Sequence, residues 1–414
     1  MNAIVPAFCC TTEGIPFDVA LARVLGLGAE KLGVEDVPLV ACVGRVIAAP
    51  LKARLDLPGF VQSAMDGYAV CCADLMPGAC LEVTGRTAAG EAPGRLDRNS
   101  AHRILTGAPV PVGADAVIPQ ESVRQQGDLL QIDAVPQAGA NMRQRGEDIR
   151  IGRVLIAEGT RLDWRHIAVL AAQGVPSIAV RKRPRVALLS SGRELREPGD
   201  HLSPGQIHDT NMPMLAALLQ ADGANVHPMA IVQDNATSMQ SALRDAASDA
   251  DMVLTTAGIS VGDEDHVRDA LLRLGGEIAV FKVAMKPGKP LAAGHLGGAV
   301  FIGLPGNPMA ALAGAIAFVR PLLAKMAGMA APVTVRAYAA FDMDRKPGRA
   351  EFVPVCLRQR DACLWAERTG QDGSGRVAPL LEATGFAFLP SENETVQCGN
   401  EIEVVPFTSG AIAS

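Results

Sequence analysis

The chain has 414 residues, of which 49% are hydrophobic, 20% charged and 4% aromatic. Chains of this length usually divide into several cores, and a disordered protein would lack so many apolar residues. The 42 glycines show no period of three, which excludes collagen. The formal net charge of −6 gives no global basic field, so we expect no nucleic-acid partner and no membrane partner.

The N-terminal residues and the cysteines indicate a cytoplasmic protein. No basic segment followed by a long apolar stretch opens the chain, so we expect no secretory signal. The nine cysteines include the adjacent pairs Cys9-Cys10 and Cys71-Cys72, and none has C-x-x-C spacing. This pattern favours reduced thiols over a zinc site or a disulfide framework.

Secondary structure is clearest between about residues 185 and 326, where short apolar runs alternate with helical patterns. The runs predict strands at 186–189, 229–232, 252–256, 278–281 and 299–302, with helices at 212–219, 238–247 and 267–274. This alternation indicates a mostly parallel α/β sheet covered on both faces. The uncharged stretch 296–319 contains prolines that would break a spanning helix, so it predicts a buried strand, a sharp turn and an apolar helix.

The flanking segments are richer in strands. Upstream, short apolar runs at 81–83, 116–119 and 129–132 are separated by glycine, proline and aspartate, which predicts a small β-rich domain. Beyond Gly328 several short β-branched stretches predict a C-terminal, barrel-like β domain.

Glycine-rich loops and lysines follow the predicted strands of the α/β segment. Ligands bind beyond the carboxyl ends of such strands, and loops that open onto helices present N–H groups to oxyanions. Lys282, Lys286 and Lys289 follow the fourth strand and would add full charges. We therefore expect an anion site suited to phosphates.

Carboxylates in the same loops allow two interpretations. Glu194, Asp209, Asp234 and Asp265 each lie near a predicted helix start, where an acid can cap the helix. Carboxylates beside lysines also suit a Mg²⁺-phosphate site. In the β-rich segment, Asp66 fits a turn, and residues 143–148 fit either a surface charge cluster or a site.

A serine hydrolase is an alternative, because Gly258–Gly262 fits G-x-S-x-G between a predicted strand and helix. The one histidine downstream of His266 is His295, which lies in a glycine-rich turn that enters a strand rather than in a loop that leaves one. No H-x-x-x-H pair supports a zinc hydrolase, and no G-x-x-x-x-G-K-[ST] segment supports a P-loop nucleotidase.

Seven motifs, in order, resemble those of the molybdopterin molybdenumtransferases, the MoeA/gephyrin E-domain family. They are Pro58-Gly59-Phe60 with residues 63–70, then 106–111, 143–148, 205–211, 258–262, 286–290 and 304–308. The resemblance extends from about residue 13 to 407.

The resemblance implies an elongated four-domain subunit in a homodimer whose active cleft is shared between subunits. The domains would be a connecting domain at 26–50 and 149–182, a β-rich domain at 51–148, an α/β molybdopterin-binding domain at 13–25 and 183–328, and a barrel-like domain at 329–414.

The implied activity is insertion of molybdate into adenylylated molybdopterin with release of AMP, and Mg²⁺ would be required. Transient contact with a molybdopterin adenylyltransferase or a recipient apoenzyme is also expected. An alternative is a paralogue that binds molybdopterin or the finished cofactor and delivers it without inserting metal. A receptor-clustering scaffold, as among gephyrin relatives, would need a linker that this sequence lacks.

The resemblance also implies roles for individual residues. Asp66, Glu194, Asp234 and Asp265 would be catalytic, the last three as metal ligands, and Asp66 would act across the cleft, from the partner subunit. The substrate-binding residues would be Arg143, Asp148, Ser191, Gly192, Asp209, Thr256, Gly258, Ser260, Gly262, Lys282, Lys286, Lys289, Pro305 and Pro308.

Three positions depart from the family pattern. Val61-Gln62 stands where Asp-Asn is frequent, so a polar group is missing. Arg193 stands where a small acidic or amide residue is expected; it would either strengthen phosphate binding or neutralise a carboxylate that binds Mg²⁺. Ala257 replaces a glycine, which would restrict the backbone if φ there is positive.

Overall fold

The computed structural model describes residues 14–28, 31–257, 266–370, 373–392 and 394–408. These residues form two compact units. One comprises Ala49–Glu158 and Trp164–Pro176; the other comprises the described residues up to Ala48, Gly159–Asp163 and those from Ser177 onward. The four domain boundaries given above are a finer division and stay a prediction.

The described chain opens with helix α1 (Phe17–Leu27), followed by strand β1 (Val34–Pro38). Ala20 and Val24 of α1 are fully buried, and they are four residues apart, as expected for the apolar stripe of a helix. Both belong to the core that lies against the large α/β sheet.

The β-rich unit contains one α-helix, two short 3₁₀ helices (Cys72–Asp74 and Gln120–Ser122) and ten strands in its described residues. They are β2 (Leu51–Lys52), β3 (Gln62–Ser63), β4 (Gly67–Val70), β5 (Cys80–Thr87), β6 (Ser100–Ile104), β7 (Ala116–Pro119), β8 (Val123–Gln126), β9 (Leu129–Ile132), β10 (Met142–Arg143), β11 (Val154–Ile156) and α2 (Trp164–Ala172). Six strands form one sheet in the order β7-β4-β6-β5-β9-β8. The three predicted runs all lie in this sheet, which confirms the predicted β-rich segment.

Strand β12 (Ser177–Arg181) pairs with β1 in the antiparallel sense. The α/β region follows. Its strands are β13 (Arg185–Ser190), β14 (Leu195–Arg196), β15 (Ile207–His208), β16 (Asn225–Pro228), β17 (Met252–Thr256), β18 (Glu277–Phe281), β19 (Met285–Lys286), β20 (Ala292–Leu296) and β21 (Ala299–Leu304). Its helices are α3 (Asn211–Ala221), α4 (Ala236–Asp249), α5 (His266–Arg273), α6 (Pro308–Gly314) and α7 (Arg320–Met326), with a π-helical turn at Ala315–Val319.

The large sheet has the order β16-β13-β17-β21-β20-β18. The first four strands are parallel, and β20 runs antiparallel to both its neighbours. Val186 and Leu188 of β13 enter the core beneath α1, α3, α6 and α7, whereas Ala187 and Leu189 enter the core beneath α4 and α5. The predicted sheet, mostly parallel and covered on both faces, is confirmed.

Two strands differ from the prediction. The strand predicted at 229–232 lies instead at Asn225–Pro228, an edge strand in which only Val226 is buried, so no apolar run marks it. The second difference is β20, because the glycine-rich sequence at 293–298 predicts a turn where the structure has this strand. Gly294 lies inside this strand. Its position requires glycine, because a Cβ there would be 1.7 Å from the carbonyl oxygen of Glu277 on β18. The glycine therefore reflects close packing rather than a turn.

The uncharged segment forms strand β21, a turn, and a continuous helix from Pro308 to Met326, as predicted. Among the described residues, this helix alone is long and apolar enough to cross a membrane, with a mean hydropathy of 1.5. It is 83% buried inside the protein, where it forms part of the core.

The C-terminal strands are β22 (Val335–Ala339), β23 (Met343–Asp344), β24 (Ala350–Arg360), β25 (Cys363–Arg368), β26 (Gly385–Leu389), β27 (Thr395–Val396) and β28 (Glu401–Pro406). Five of them form the ring β24-β25-β22-β28-β26, which closes because β26 also pairs with β24. Closure leaves no free edge in the ring. The predicted barrel-like domain is therefore confirmed.

Phenylalanine rings join this barrel to the helical layer of the sheet. Phe17 of α1 lies 5.3 Å from Phe318 and from Phe388, and 5.5 Å from Phe352, measured between ring centroids. Such tilted and edge-to-face contacts are favourable beyond the area they bury. The barrel strands β24 and β26 are thus fixed against α1 and the helix that follows β21.

We predict that Gly294→Ala destabilises the protein by about 1–3 kcal/mol, because the added methyl group would force β18 and β20 apart. Urea unfolding measures the change. Gly298→Ala is the matched control, since a Cβ at Gly298 would meet nothing within 4 Å. Equal unfolding free energies for the two variants would contradict the packing explanation.

Candidate active site

The carboxyl ends of two neighbouring parallel strands bring predicted site residues together. Ser190 at the end of β13 and Thr256 at the end of β17 are buried, with their hydroxyl oxygens 3.1 Å apart. Ser191 and Gly192 follow directly in sequence, and Ser191 forms an isolated parallel β-bridge with Val232. Ser191, Gly192 and Thr256 therefore lie at one edge of the sheet, as the sequence predicts.

A cavity of about 630 Å³ opens beside this edge. Gly192, Arg193 and Asp234 are among the residues that line it. Glu194 folds back toward the same loop, since a Cβ on Gly192 would lie 2.6 Å from its carboxylate. Glu194 and Asp234, two of the predicted metal ligands, thus both belong to loops around this cavity.

Arg193 forms an ion pair with one of these carboxylates. Its Nε atom lies 3.8 Å from an oxygen of Asp234, and its side chain is 71% exposed. An exposed pair of this kind contributes little to stability. The pair places a positive charge beside Asp234, and the effect of Arg193 on phosphate or Mg²⁺ binding stays a prediction.

The remaining predicted residues of this region, Asp265, Gly258, Ser260 and Gly262, lie outside the described residues. Within the described ranges, no group of three or more His, Cys, Asp or Glu side chains could hold a metal ion. Mg²⁺ is often bound by one or two carboxylates together with substrate phosphates. The oxygen donors of Glu194 and Asp234 fit that chemistry.

Asp209 caps helix α3. One carboxylate oxygen accepts a hydrogen bond from the backbone N–H of Met212 at 3.1 Å, and the side chain is buried. The neighbouring Asn211 donates to the carbonyl of Gly306 at 2.6 Å, so the start of α3 is tied to the loop after β21. The hydrogen bond from Met212 supports the capping interpretation of Asp209, and the role of Asp209 in substrate binding stays a prediction.

A second cavity, of about 360 Å³, lies between residues 286–290, the lysine loop, and the barrel. Lys286, Lys289 and Pro305 line it from the α/β side, and Arg349 and Ser374 from the barrel side. Among the described lining residues, Lys286, Lys289 and Arg349 carry positive charge and Glu351 alone carries negative charge. Such a surface attracts oxyanions.

Ser374 also organises the loop after β21. Its hydroxyl accepts a hydrogen bond from the Asn307 amide at 2.9 Å, and its carbonyl accepts one from the N–H of Met309 at 3.0 Å. Pro308 starts helix α6 between these two contacts. The barrel therefore holds the start of α6 beside the cavity.

Lys282 does not line either cavity. Its backbone is left-handed, with φ of 59°, and its ammonium lies 5.4 Å from the centroid of the Phe281 ring. The close sequence spacing of three lysines suggested one cluster, but the turn after β18 directs this side chain onto the ring.

In the β-rich unit, Asp66 is held by Thr106. The backbone N–H and the hydroxyl of Thr106 each donate to the same carboxylate oxygen at 2.7 Å. These hydrogen bonds, the backbone one foremost, hold the pKa of Asp66 below its ordinary value. The exposed carboxylate therefore stays charged at neutral pH in a fixed orientation.

Arg143 and Asp148 are exposed in the same unit. Arg143 lies on the short strand β10, paired with Gln62 of β3, and the N–H of Asp148 donates to the carbonyl of Leu57. Their neighbour Arg145 binds Asp56 at 2.8 Å, so part of the 143–148 cluster is structural. The substrate-binding roles of Arg143 and Asp148 stay predictions.

His295 lies within strand β20, paired with Glu277 and Val300. A triad histidine would instead lie in a loop beyond the carboxyl end of a strand. This placement does not favour the serine hydrolase alternative.

Sequence reasoning missed the barrel residues of the second cavity, Arg349, Glu351 and Ser374. Two sequence features could have indicated an anion-binding loop: the glycine-rich turn 373–376, and Arg349 next to Gly348. Neither motif is near the lysine loop in sequence, so only the fold brings them to it.

Three family profiles match the chain in order. They are the MoeA N-terminal region (domain I and II) over residues 15–174, a probable molybdopterin binding domain over 187–325, and the MoeA C-terminal region (domain IV) over 336–407. Together they span both cavities.

Relatives and solved structures agree with these profiles. The chain is 35% identical to a molybdopterin molybdenumtransferase of Nostoc sp. over 90% of this chain and 88% of the relative. It is 34% identical to one of Haemophilus influenzae over 90% and 94%. A crystal structure of a MoeA protein from Pyrococcus horikosii has a TM-score of 0.83 at 32% identity, covering 96% of this chain and 100% of that one.

Ala257, the residue that departs from glycine, has a left-handed backbone with φ of 69°. A residue with a Cβ is strained by about 1–2 kcal/mol in this conformation. We predict that Ala257→Gly raises the free energy of unfolding by up to about 1 kcal/mol, after allowing for the greater freedom of glycine in the unfolded chain.

Thermal or urea unfolding measures this gain. Ala250→Gly provides the control, because Ala250 has an extended backbone with φ of −104° and should only lose stability. A loss of stability in both variants would contradict the strain at Ala257.

Proposed function

The chain belongs to the MoeA family, whose members serve molybdenum cofactor biosynthesis, and we propose that it inserts molybdate into adenylylated molybdopterin with release of AMP. The cationic cavity between the lysine loop and the barrel carries this proposal. Molybdate is a compact dianion, and Lys286, Lys289 and Arg349 supply positive charge on both sides of a small cavity. Ser374 adds a hydroxyl at the same wall.

The larger cavity beside β13 suits the phosphate end of the substrate. The loop after β13 and the segment 230–235 line it, and helix α4 begins directly after Asn235, so the N-terminus of a helix lies beside the cavity. Glu194 and Asp234 would hold Mg²⁺ here, and the ion would polarise the phosphate linkage when bound. The carboxylates would also orient the water that splits the AMP ester.

Asp66 would act on the substrate from the β-rich domain of the partner subunit in a homodimer. Thr106 keeps its carboxylate charged and oriented, which suits a group that accepts a proton or orients a water. The described cysteines are all free thiols, which favours a cytoplasmic location.

The function is tested by incubating purified protein with adenylylated molybdopterin, Mg²⁺ and molybdate. We expect AMP release that molybdate stimulates and that chelation of divalent cations suppresses. Tight binding of the adenylylated pterin without AMP release would instead favour the carrier alternative, in which the protein delivers cofactor without inserting metal.

We predict that Asp66→Ala lowers turnover by about 10²–10⁴-fold, the range for loss of a positioned acid or base. The unfolding free energy should fall by no more than about 1–2 kcal/mol, because the exposed side chain loses only the two hydrogen bonds from Thr106. Asp133→Ala is the control: Asp133 is an exposed acid of the same unit that pairs with Arg124 at 3.8 Å, and its loss should leave turnover unchanged. Wild-type turnover in Asp66→Ala would refute the role of Asp66.

A further inference from the structure

Three charged side chains, Lys286, Glu351 and Arg345, lie in a row from the lysine loop into the barrel. The ammonium of Lys286 lies 3.3 Å from one carboxylate oxygen of Glu351, and the other carboxylate oxygen lies 3.5 Å from Nε of Arg345. The Glu351 side chain is 4% exposed and the Arg345 side chain 1%, whereas the Lys286 side chain is 49% exposed. Arg345 is therefore the buried end of this row, and Lys286 is the end that faces the cavity.

The buried end is fixed by the backbone. Arg345 donates hydrogen bonds to the carbonyl oxygens of Pro390 and Arg349. Because Arg349 lines the cavity, Arg345 anchors the backbone of one cavity cation and, through Glu351, the side chain of another.

Strand pairing aligns the same residues. The two-residue strand β19 pairs in parallel with β24, and Lys286 lies opposite Glu351 in that register. Backbone pairing places the start of the lysine side chain but leaves its four methylene groups free to rotate. A partner at the ammonium restricts them further, because it fixes the far end of the side chain.

Resting on the proposed function, we propose that Glu351 is a positioning residue that fixes the Lys286 ammonium at the wall of the cavity for the incoming oxyanion. An ammonium has three donors. One faces Glu351, which leaves two for the oxygens of a tetrahedral dianion.

Stability alone does not account for this arrangement. A buried Arg345–Glu351 pair would need no exposed lysine, and replacing buried ion pairs by apolar residues is often neutral or stabilising. Moreover, Glu351 places a negative charge in a cavity suited to anions, which lowers the attraction for a dianion. A carboxylate there is better explained by the orientation it imposes on Lys286.

The opposing effects of charge and position predict a distinctive kinetic result. Glu351→Gln should lower kcat by about 10- to 100-fold, as expected when a reacting group is misplaced by about 1 Å. KM for molybdate should not rise, because the variant removes a negative charge from the cavity. Glu367→Gln is the matched control, since Glu367 pairs with Arg358 and Arg360 on the barrel away from the cavity lining.

A double-mutant cycle separates positioning from general stability. In a Lys286→Gln background, Glu351→Gln should lower kcat no further, because the group it positions is gone. A purely structural role would lower kcat by the same factor in both backgrounds, and that result would overturn the proposal. If the amide variant does not fold, Glu351→Asp carries the same cycle, since it keeps the charge beside Arg345 but shortens the reach to Lys286.

The same assays distinguish this proposal from the proposed function. Absence of molybdate-stimulated AMP release in the wild-type protein would overturn the proposed function and the positioning role together. Normal wild-type turnover with an unchanged kcat in Glu351→Gln would overturn the positioning role alone. Calorimetric titration with molybdate alone adds a readout without turnover, in which Glu351→Gln should bind at least as tightly as the wild-type chain.

Discussion

The packing of Phe17 against Phe318, Phe352 and Phe388 is the contact on which the cationic cavity depends. The cavity takes its cations from two regions far apart in sequence, and the pairing of β19 with β24 joins them over only two residues. Individual hydrogen bonds contribute about 1 kcal/mol each, whereas a fully buried phenylalanine such as Phe318 or Phe352 contributes roughly 1.5–3 kcal/mol. Apolar packing therefore holds the barrel in place, and the polar contacts set the fine alignment.

Placing several cations together has an electrostatic cost that the fold must offset. Lys286, Lys289 and Arg349 repel one another, and Glu351 is the one acidic residue among the described lining residues. An anion that enters the cavity would relieve this repulsion. The opposite arrangement occurs beside β13, where the guanidinium of Arg193 lies 3.8 Å from the carboxylate of Asp234.

How far the sequence predicts the structure depends on where each element lies. Strands β13 and β17 are buried on both faces and appear as uninterrupted apolar runs, so they were predictable. Edge strand β16 buries one residue, and β20 needs a glycine for close packing, so neither shows that pattern.

The candidate site divides in the same way. Loops that follow parallel strands necessarily meet at one edge of the sheet, which is why Gly192 and Asp234 could be expected near each other. Arg349, Glu351 and Ser374 come from a barrel whose docking depends on tertiary packing, and no local pattern encodes that. Lys282 shows the converse, because sequence proximity to Lys286 did not decide where its side chain points.

Departures from local structural preference concentrate around these loops. Ala257 has a left-handed backbone, three cations converge on one small cavity, and Glu351 is an almost fully buried carboxylate. Natural proteins tolerate such conflicts mainly where function requires them. Ala257 follows β17 and Glu351 faces the loop after β18, so the strained and charged positions mark the carboxyl edge of the sheet and its junction with the barrel. That edge is where a ligand of an α/β sheet binds, so backbone strain and charge both occur where this class of fold predicts a ligand.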